Sequence, residues 1–260
     1  AQKPKAALAL QEVMVFSNDC KCPNYWRGVP HASVDIAAGP RKIWHINITG
    51  HLYSSAVPLK QMPTAKRPWK KITPNPDPNG VMHRVTVDPS GNPWVVLTGG
   101  QIYRYNKGKW IRVPGDARDI AAAGKHMTMA SGYKGMEVFA KPYGAPDAIK
   151  SWKFTNGHGI SLAAASNNIS WLVKRSGDIW QRPVGRKWKK MPGNRAVDIA
   201  TNGNTTFHIG SGGEPYKYVP RKNSWTRMHG RSNKRIAVDA TGRPWMVDAN
   251  SKIWTWHDYK

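Results

Sequence analysis

Residues 84–96 read RVTVDPSGNPWVV, and residues 235–247 read RIAVDATGRPWMV. Both segments obey the pattern R-[VI]-x-V-D-x-[ST]-G-x-P-W-x-V over thirteen positions, although they lie 151 residues apart. Agreement of this extent is not coincidence, so the chain contains an internal repeat. A repeat is identified before anything else because it determines which fold is possible.

Tryptophans mark the start of each copy of the repeat, at spacings of 43, 41, 42, 36 and 37 residues. Each is followed by an Ile-Ala-like, a Trp-Val-like and a Gly-x-Ile-Tyr-like segment. Four short apolar segments per period of about 40 residues predict a six-bladed β-propeller of four-stranded antiparallel blades. We expect the first strand of each blade near its leading tryptophan, and we assign residues 26–260 to the propeller and 1–25 to a short N-terminal extension. The leading tryptophans are Trp26, Trp69, Trp110, Trp152, Trp188 and Trp225.

One position of the repeat carries charge in an alternating series. Aligned on the first residue of the Ile-Ala segment, the copies read Asp35, Arg84, Asp119, Gly159, Asp198 and Arg235. These aspartates could coordinate sugar hydroxyls. We favour a structural role, in which they fix turns or pair with the arginines across a blade boundary.

The composition predicts a polyanionic partner. The 260 residues include 40 Lys and Arg against 15 Asp and Glu, a net charge of +25. Such a charge attracts nucleic acid, anionic membranes, lipopolysaccharide, or acidic and sulfated polysaccharides by long-range steering. A generally basic, solvated surface without a specific partner is the alternative. No apolar stretch approaches the roughly 18 residues of a membrane-spanning helix.

The remaining segments carry weaker signals. The chain begins at Ala1, as a secreted protein does after its signal peptide is removed. Cys20 and Cys22 are too few for a disulfide framework, and their role stays open. Residues 54–83 form a proline-rich insertion of unassigned function.

Shorter motifs within the copies carry a family resemblance. They are the lead Trp110-Ile-Arg-Val-Pro114-Gly115, its counterpart at residues 188–193, the Asp-Ile-Ala segments, and Gly100-Gln-Ile-Tyr103-Arg104. Over residues 26–256 the chain resembles tectonin repeats, the family of tectonins, tachylectin-type lectins and fish egg lectins. The resemblance implies a six-bladed propeller that binds carbohydrate on microbial or cell surfaces, some members favouring lipopolysaccharide or methylated sugars.

Candidate binding residues are cations in the loops that join strand one to two and strand three to four, where Arg and Lys would engage carboxylate, phosphate or sulfate. Aromatic residues at repeated positions are better explained by blade packing, whereas Tyr133 and Tyr143, which lie outside the repeat, are candidates for stacking on sugars. The predicted ligand-binding residues are His31, Arg84, Arg118, Tyr133, Lys134, Lys174, Arg175, Arg195 and Arg231.

The sequence thus predicts a multivalent, secreted or extracellular lectin for anionic surface glycans such as lipopolysaccharide or acidic polysaccharide, without metal or cofactor. A general polyanion- or nucleic-acid-binding propeller is the first alternative, and a polysaccharide-degrading enzyme is the second. Residues 159–163, Gly-Ile-Ser-Leu-Ala, approach a nucleophile elbow. They belong to the repeat, however, so we expect no enzymatic activity.

Overall fold

The protein is built almost entirely of short antiparallel strands. A computed structural model describes residues 25–55, 69–122, 127–142, 144–165, 167–193, 195–230 and 232–257. Within these ranges there are 23 β-strands, two 3-10 helices at Ile149–Ser151 and Pro220–Lys222, and no α-helix. The all-β propeller predicted from the repeat is therefore confirmed.

Four sheets contain four strands each. Their orders are β2-β3-β4-β5, β13-β14-β15-β16, β17-β18-β19-β20 and β1-β23-β22-β21. The strands are β1 (Tyr25–Ala32), β2 (Asp35–Ala38), β3 (Ile43–Ile46), β4 (Leu52–Ser55), β5 (Trp69–Lys71), β13 (Ser161–Ala164), β14 (Ile169–Val173), β15 (Ile179–Pro183), β16 (Lys189–Lys190), β17 (Ala196–Thr201), β18 (Thr206–Gly210), β19 (Pro215–Val219), β20 (Ser224–Arg227), β21 (Asn233–Val238), β22 (Pro244–Asp248) and β23 (Lys252–His257).

The fifth sheet has seven strands, in the order β12-β11-β10-β9-β8-β7-β6. They are β6 (Met82–Val87), β7 (Pro93–Leu97), β8 (Gln101–Asn106), β9 (Lys109–Ala121), β10 (Met127–Gly132), β11 (Glu137–Pro142) and β12 (Lys153–His158).

The prediction of six separate four-stranded blades is wrong, because the described residues form four such blades and this larger sheet. The cause is β9, whose 13 residues pair with β8 up to Asp116 and with β10 from Ala117 onward. The pairing of β9 with β8 shifts register at Pro114 and Gly115, where the sequence predicted a turn. The strand therefore continues through these two residues.

The assignment of strands to blades also differs from the prediction. Trp69, Trp110 and Trp225 lie on strands that pair with the strand before them in the chain, as Trp69 does on β5 beside β4. At the ends of the propeller, β1 pairs with β23, with Tyr25 opposite His257 and Trp26 opposite Trp256. The N-terminal strand thereby completes the sheet of the C-terminal strands. Sequence alone could not place this boundary, because a repeat can be divided at any point of its period.

The hydrophobic core lies between neighbouring sheets. One cluster joins Trp44 and Leu52 of the β2–β5 sheet to Met82 and Val95 of the seven-stranded sheet. A cluster of the same kind lies inside the seven-stranded sheet, between its β6–β8 and β10–β12 halves. Burial of apolar surface between sheets is the main favourable term in such a fold.

A small polar cavity of about 80 Å³ lies at the centre, lined by β2, β6, β9, β13, β17 and β21. Three carboxylates there each accept a backbone N–H from the next inner strand. Asp35 Oδ2 accepts from Val85 at 2.7 Å, and Asp119 Oδ2 from Leu162 at 2.7 Å. Asp198 Oδ2 accepts from Ile236 at 2.8 Å.

Hydroxyl and guanidinium groups lie between these carboxylates and form hydrogen bonds and ion pairs with them. The Arg84 guanidinium lies 2.7 Å from Asp119, 3.1 Å from Asp35 and 3.5 Å from Asp198. Arg235 lies 3.5 Å from Asp35, and Ser161 Oγ donates to Asp198 Oδ1 at 2.7 Å. We call these side chains the central belt: Asp35, Arg84, Asp119, Ser161, Asp198 and Arg235.

The central belt confirms the ion pairs predicted between the repeated aspartates and arginines. It corrects two details. The position assigned to Gly159 is occupied by Ser161, and Arg84 lies on β6 with 6% of its surface exposed rather than in a binding loop. Burial raises the pKa of Asp35 to about 6 despite the neighbouring Arg84 and Arg235. Burial opposes ionisation of Arg84, but Asp119, Asp35 and Asp198 outweigh it and raise the pKa of the guanidinium.

We predict that Asp119→Ala strongly destabilises the protein, because it leaves the Leu162 N–H without its acceptor and removes the nearest of the three carboxylates that pair with the buried Arg84 charge. Breaking a buried ion pair from one side costs about 3–5 kcal/mol. Thermal unfolding of the purified variant measures this. Asp116→Ala is the control, since the Asp116–Arg112 pair is exposed and its loss should cost at most about 1 kcal/mol. Unchanged stability of Asp119→Ala together with lost ligand binding would contradict the structural role.

Two buried histidines stack in the same way in two different sheets. His208 lies parallel to Tyr216 with ring centroids 4.8 Å apart and meets Trp225 edge-on at 4.5 Å. His45 stacks similarly on Tyr53 at 5.3 Å. Neither Nδ1 atom has a hydrogen-bond partner among the described residues. Burial lowers the pKa of His208 to about 4 and, with the nearby His31, lowers that of His45 to about 3.

We predict that His208→Phe flattens the pH dependence of stability below neutral pH. The folded state favours neutral His208, so its contribution is complete above pH 6.5 and is lost as the pH falls from 6.5 through about 4. By pH 4.5 the wild type should lose roughly 2–3 kcal/mol that the variant keeps. Asp35 acts in the opposite sense but is present in both proteins. Urea unfolding at pH 7.5 and pH 4.5 measures the difference, and parallel pH profiles would contradict the assignment.

Candidate functional site

The structure places most of the predicted binding residues at one end of the sheets. Lys134 lies in the β10–β11 turn, and Lys174 and Arg175 lie in the β14–β15 turn. Arg195 directly precedes β17, and its neighbour Ala196 donates to Gly177 of the β14–β15 turn at 3.0 Å. This is the end of the propeller on which the sequence analysis placed them. Arg231 and Tyr143 lie outside the described residues.

The predicted binding residues differ in how much of each side chain is exposed to solvent. Arg118, Lys134, Arg175 and Arg195 are exposed, whereas Lys174 is half-buried. Tyr133 is 44% exposed, and its hydroxyl donates to the carbonyl of Thr98 at 3.0 Å. Lys134, Arg175 and Arg195 lie in different connections between strands, and Arg118 lies on β9. None of these four cations lines the cavity at the axis.

His31 belongs to an aromatic cluster rather than to a cation site. Its Nδ1 lies 2.9 Å from Nε2 of His45, and its ring meets Tyr53 edge-on at 4.6 Å. Burial lowers the pKa of His31, so the neutral ring is favoured at physiological pH. A neutral His31 can exchange hydrogen bonds but contributes no charge to anion binding.

Lys174 lines a cleft of about 440 Å³ between β12, at the edge of the seven-stranded sheet, and β14–β16 of the next sheet. A cleft of this size lies within the range of small-ligand sites. We call it the Trp180–Trp188 cleft. Its lining residues are Thr155, Asn156, Gly157, Leu172, Lys174, Trp180, Arg182, Gly185, Arg186, Lys187 and Trp188.

A local change of sequence coincides with this cleft. Four leading indoles donate to the carbonyl of a proline one copy earlier, for example Trp225 to Pro192 at 2.7 Å and Trp152 to Pro114 at 3.1 Å. In the copy that begins at Trp152, Asn156 replaces this proline. Asn156 adopts a φ of 59° in a bulge of β12, and Trp188 donates to Thr155 Oγ1 at 3.3 Å instead.

Gly157 allows the Trp188 ring to approach this bulge. A Cβ atom at position 157 would lie 2.6 Å from Nε1 and 2.9 Å from Cε2 of Trp188, closer than packed atoms allow. The glycine therefore permits the indole to lie against the backbone of β12 and form one wall of the cleft. A larger residue would displace the ring.

Cations cover the aromatic walls of the cleft. Lys174 Nζ lies 4.2 Å from the centroid of the Trp180 ring, and the Arg182 guanidinium carbon lies 5.9 Å from that of Trp188. Arg186 and Lys187 add two exposed cations, and no carboxylate is among the residues that line the cleft. A site of two half-buried indoles and four cations suits a ligand that has both an apolar face and negative charge.

The clustering of metal-ligating side chains and the apolar length of the helices are two further features of the described residues. No group of three or more His, Cys, Asp or Glu side chains is arranged there to hold a metal ion. None of the helices in the same ranges has the length and apolar character that a membrane crossing requires.

Sequence reasoning found Lys174 but missed the rest of the cleft. Trp180 and Trp188 occupy repeated positions, where the repeat predicts packing, and Arg182 lies on a strand. The available signal was the departure from the lead motif at Asn156, together with the lysine in the turn before Trp180. Such a signal is read only when the copies are compared for differences rather than for agreement.

Known structures of similar fold cover almost the whole chain. Virginiamycin B lyase from Staphylococcus aureus superposes with a TM-score of 0.60 at 12% identity, over 91% of this chain and 99% of that one. A structure of YCF48 bound to D1 peptide gives 0.61 at 12% identity, over 92% and 98%. The WD40 propeller domain of Doa1 gives 0.61 at 9%, over 91% and 96%. At these identities the likeness shows the propeller fold alone.

Sequence comparison assigns the family. No curated protein matches the chain. The family model of the tectonin domain matches residues 32–220, which is more than half of the chain and includes the strands that form the Trp180–Trp188 cleft. The repeat, the propeller and this match agree, and the chain belongs to the tectonin domain family.

Proposed function

We propose that this tectonin propeller is a carbohydrate-binding protein for surface glycans that carry negative charge, such as lipopolysaccharide or acidic polysaccharide. The Trp180–Trp188 cleft is the main support, because indoles and cations line it without a carboxylate. Aromatic faces suit the C–H faces of pyranose rings, while guanidinium and ammonium groups suit acidic substituents.

The exposed cations at the same end would strengthen binding to a polymer. In this proposal Arg118, Lys134, Arg175 and Arg195, with Tyr133, contact flanking units of a glycan whose acidic residue occupies the cleft. Each exposed contact contributes little, but several contacts to one chain add through effective concentration. Such targets are met outside the cell, which fits the secreted location expected from the sequence.

The proposal is for binding rather than catalysis. One protein of similar fold is a lyase, so the fold by itself does not separate the two classes. Incubation with acidic polysaccharides followed by product analysis separates them. Product formation that depends on active protein would replace the lectin proposal with the enzyme.

A glycan array at low and near-physiological salt, with duplex DNA as competitor, tests the proposal. Selective binding to acidic glycans that persists at physiological salt is expected, since contacts in a cleft are screened less than exposed ones. Unselective binding that disappears with salt and with DNA would instead support the polyanion-binding alternative, which follows from the net charge of +25.

We predict that Trp188→Phe weakens glycan binding by roughly 2- to 10-fold, the range for loss of one aromatic contact. Trp225→Phe is the matched control, because Trp225 occupies the equivalent position but donates to a proline carbonyl and does not line the cleft. Titration of the best array glycan into both variants measures the effect. Equal affinity of the two variants would contradict the placement of the site.

A further inference from the structure

Two hairpins of the propeller are equivalent but carry opposite charges at the residue that follows the valine of their first strand. Trp180 on β15 pairs with Leu172, and Trp254 on β23 pairs with Met246 in the same register. In the second hairpin Asp248 follows Val247 at the end of β22. Its Oδ2 accepts a hydrogen bond from the Trp254 indole N–H at 2.9 Å. This buried polar group is therefore satisfied within the protein.

In the first hairpin lysine replaces that acceptor. Lys174 follows Val173 as Asp248 follows Val247, and its Nζ lies 4.2 Å from the Trp180 ring. The buried Trp180 N–H has no hydrogen-bond partner among the described residues. The nearest acid of the turn, Asp178, is already bound by Lys190 at 2.9 Å and Ser176 at 2.8 Å.

Arg182, which follows Trp180 by two residues on β15, also has a buried donor without a hydrogen-bond partner among the described residues. Its counterpart in the neighbouring copy, Lys141, pairs with Asp147 Oδ1 at 2.6 Å. Arg182 Nε donates to the Arg186 carbonyl at 2.6 Å. The buried Nη1 of Arg182 has no hydrogen-bond partner in the described part of the chain. Nearly all buried donors in proteins have a hydrogen-bond partner, so two donors without one in the same cleft require an explanation.

We infer that the Trp180–Trp188 cleft is a receptor for a ligand carboxylate, and that its ligand is a hexuronic acid or a glycan that contains one; this inference rests on the proposed function. Asp248 indicates which group is missing, since its carboxylate satisfies the equivalent indole. A carboxylate has two oxygens and can accept from the Trp180 N–H and from Arg182 together. The flexible Lys174 side chain moves off the ring and pairs with the anion, while the pyranose lies toward Trp188.

Sulfate and phosphate esters are the competing anions. We infer a carboxylate because the group that accepts the equivalent Trp254 indole N–H within the protein is the Asp248 carboxylate. Glucuronate, glucose and glucose 6-sulfate differ in this substituent, so the three compounds separate the charge, the sugar ring and the type of anion.

Nuclear magnetic resonance of the ¹⁵N-labelled full chain tests the receptor directly. Titration with glucuronate should shift the Trp180 indole N–H resonance, assigned by its loss in Trp180→Phe, in a saturable manner. Glucose and equal ionic strength of sodium chloride should not shift it, and the Trp254 indole serves as the internal control because Asp248 already occupies it. No shift with glucuronate, or a larger shift with glucose 6-sulfate, would overturn the carboxylate assignment.

Two variants test the residues. Lys174→Asp should reproduce the closed Trp254–Asp248 arrangement and weaken glucuronate binding by about 10-fold or more, the loss expected for one charge-assisted contact. Trp180→Phe should also weaken it while keeping an aromatic ring. Asp248→Asn, in the equivalent hairpin, should leave the affinity unchanged.

The outcomes separate the receptor from the proposed function. Array glycans that bind both variants as tightly as wild type would overturn the receptor while carbohydrate binding stands. A Trp180 shift with glucuronate, absent any glycan binding on the array, would support the receptor and refute the proposed function.

Discussion

The central belt is the constraint on which the other parts of the propeller depend. Four sheets each place one inner strand beside the axis, and the seven-stranded sheet places two, β6 and β9. A carboxylate, hydroxyl or guanidinium of each inner strand reaches the next one. Arg84 contacts three aspartates from three different sheets. A buried charge of this kind is tolerated only with its partners in place, since an unpaired one costs several kcal/mol. The inner strands are thereby held at fixed positions around a cavity of about 80 Å³.

Repetition in this protein serves stability, and the proposed binding cleft lies where the repetition fails. Apart from Trp188, the leading tryptophans use the same positions in successive copies, as do the belt residues and the apolar clusters, so those side chains serve packing and the ion pairs at the axis. The copy that starts at Trp152 departs from the pattern at Asn156. Lys174 then stands where the equivalent turn has Asp248. Together these two substitutions leave an open cleft and an indole N–H without an acceptor.

Much of the fold could be predicted from the sequence. The repeat predicted the antiparallel strands and the tectonin family, and the alternation of Asp35, Arg84 and Asp198 predicted ion pairs across sheet boundaries. The merging of two blades into one seven-stranded sheet was not predictable, because β9 runs through Pro114 and Gly115 by a register shift that no local motif specifies. Ser161 was missed because a hydroxyl replaces a charge in the series. Of the cleft, only Lys174 was predicted, since its aromatic walls resemble ordinary packing positions.

The sequence by itself determined what is local and periodic: which segments are strands, which turns need glycine, and which side chains recur at the axis. Hydrophobic and charge patterns record these properties directly because they depend on neighbours within one period. Only the tertiary structure decided how β1 completes the last sheet, how two copies share β9, and which copies leave a cleft between them. The completed last sheet and the cleft depend on contacts between residues about 30 to 230 positions apart. The shared strand depends on a register shift that joins two copies, so no single copy of the repeat contains these features.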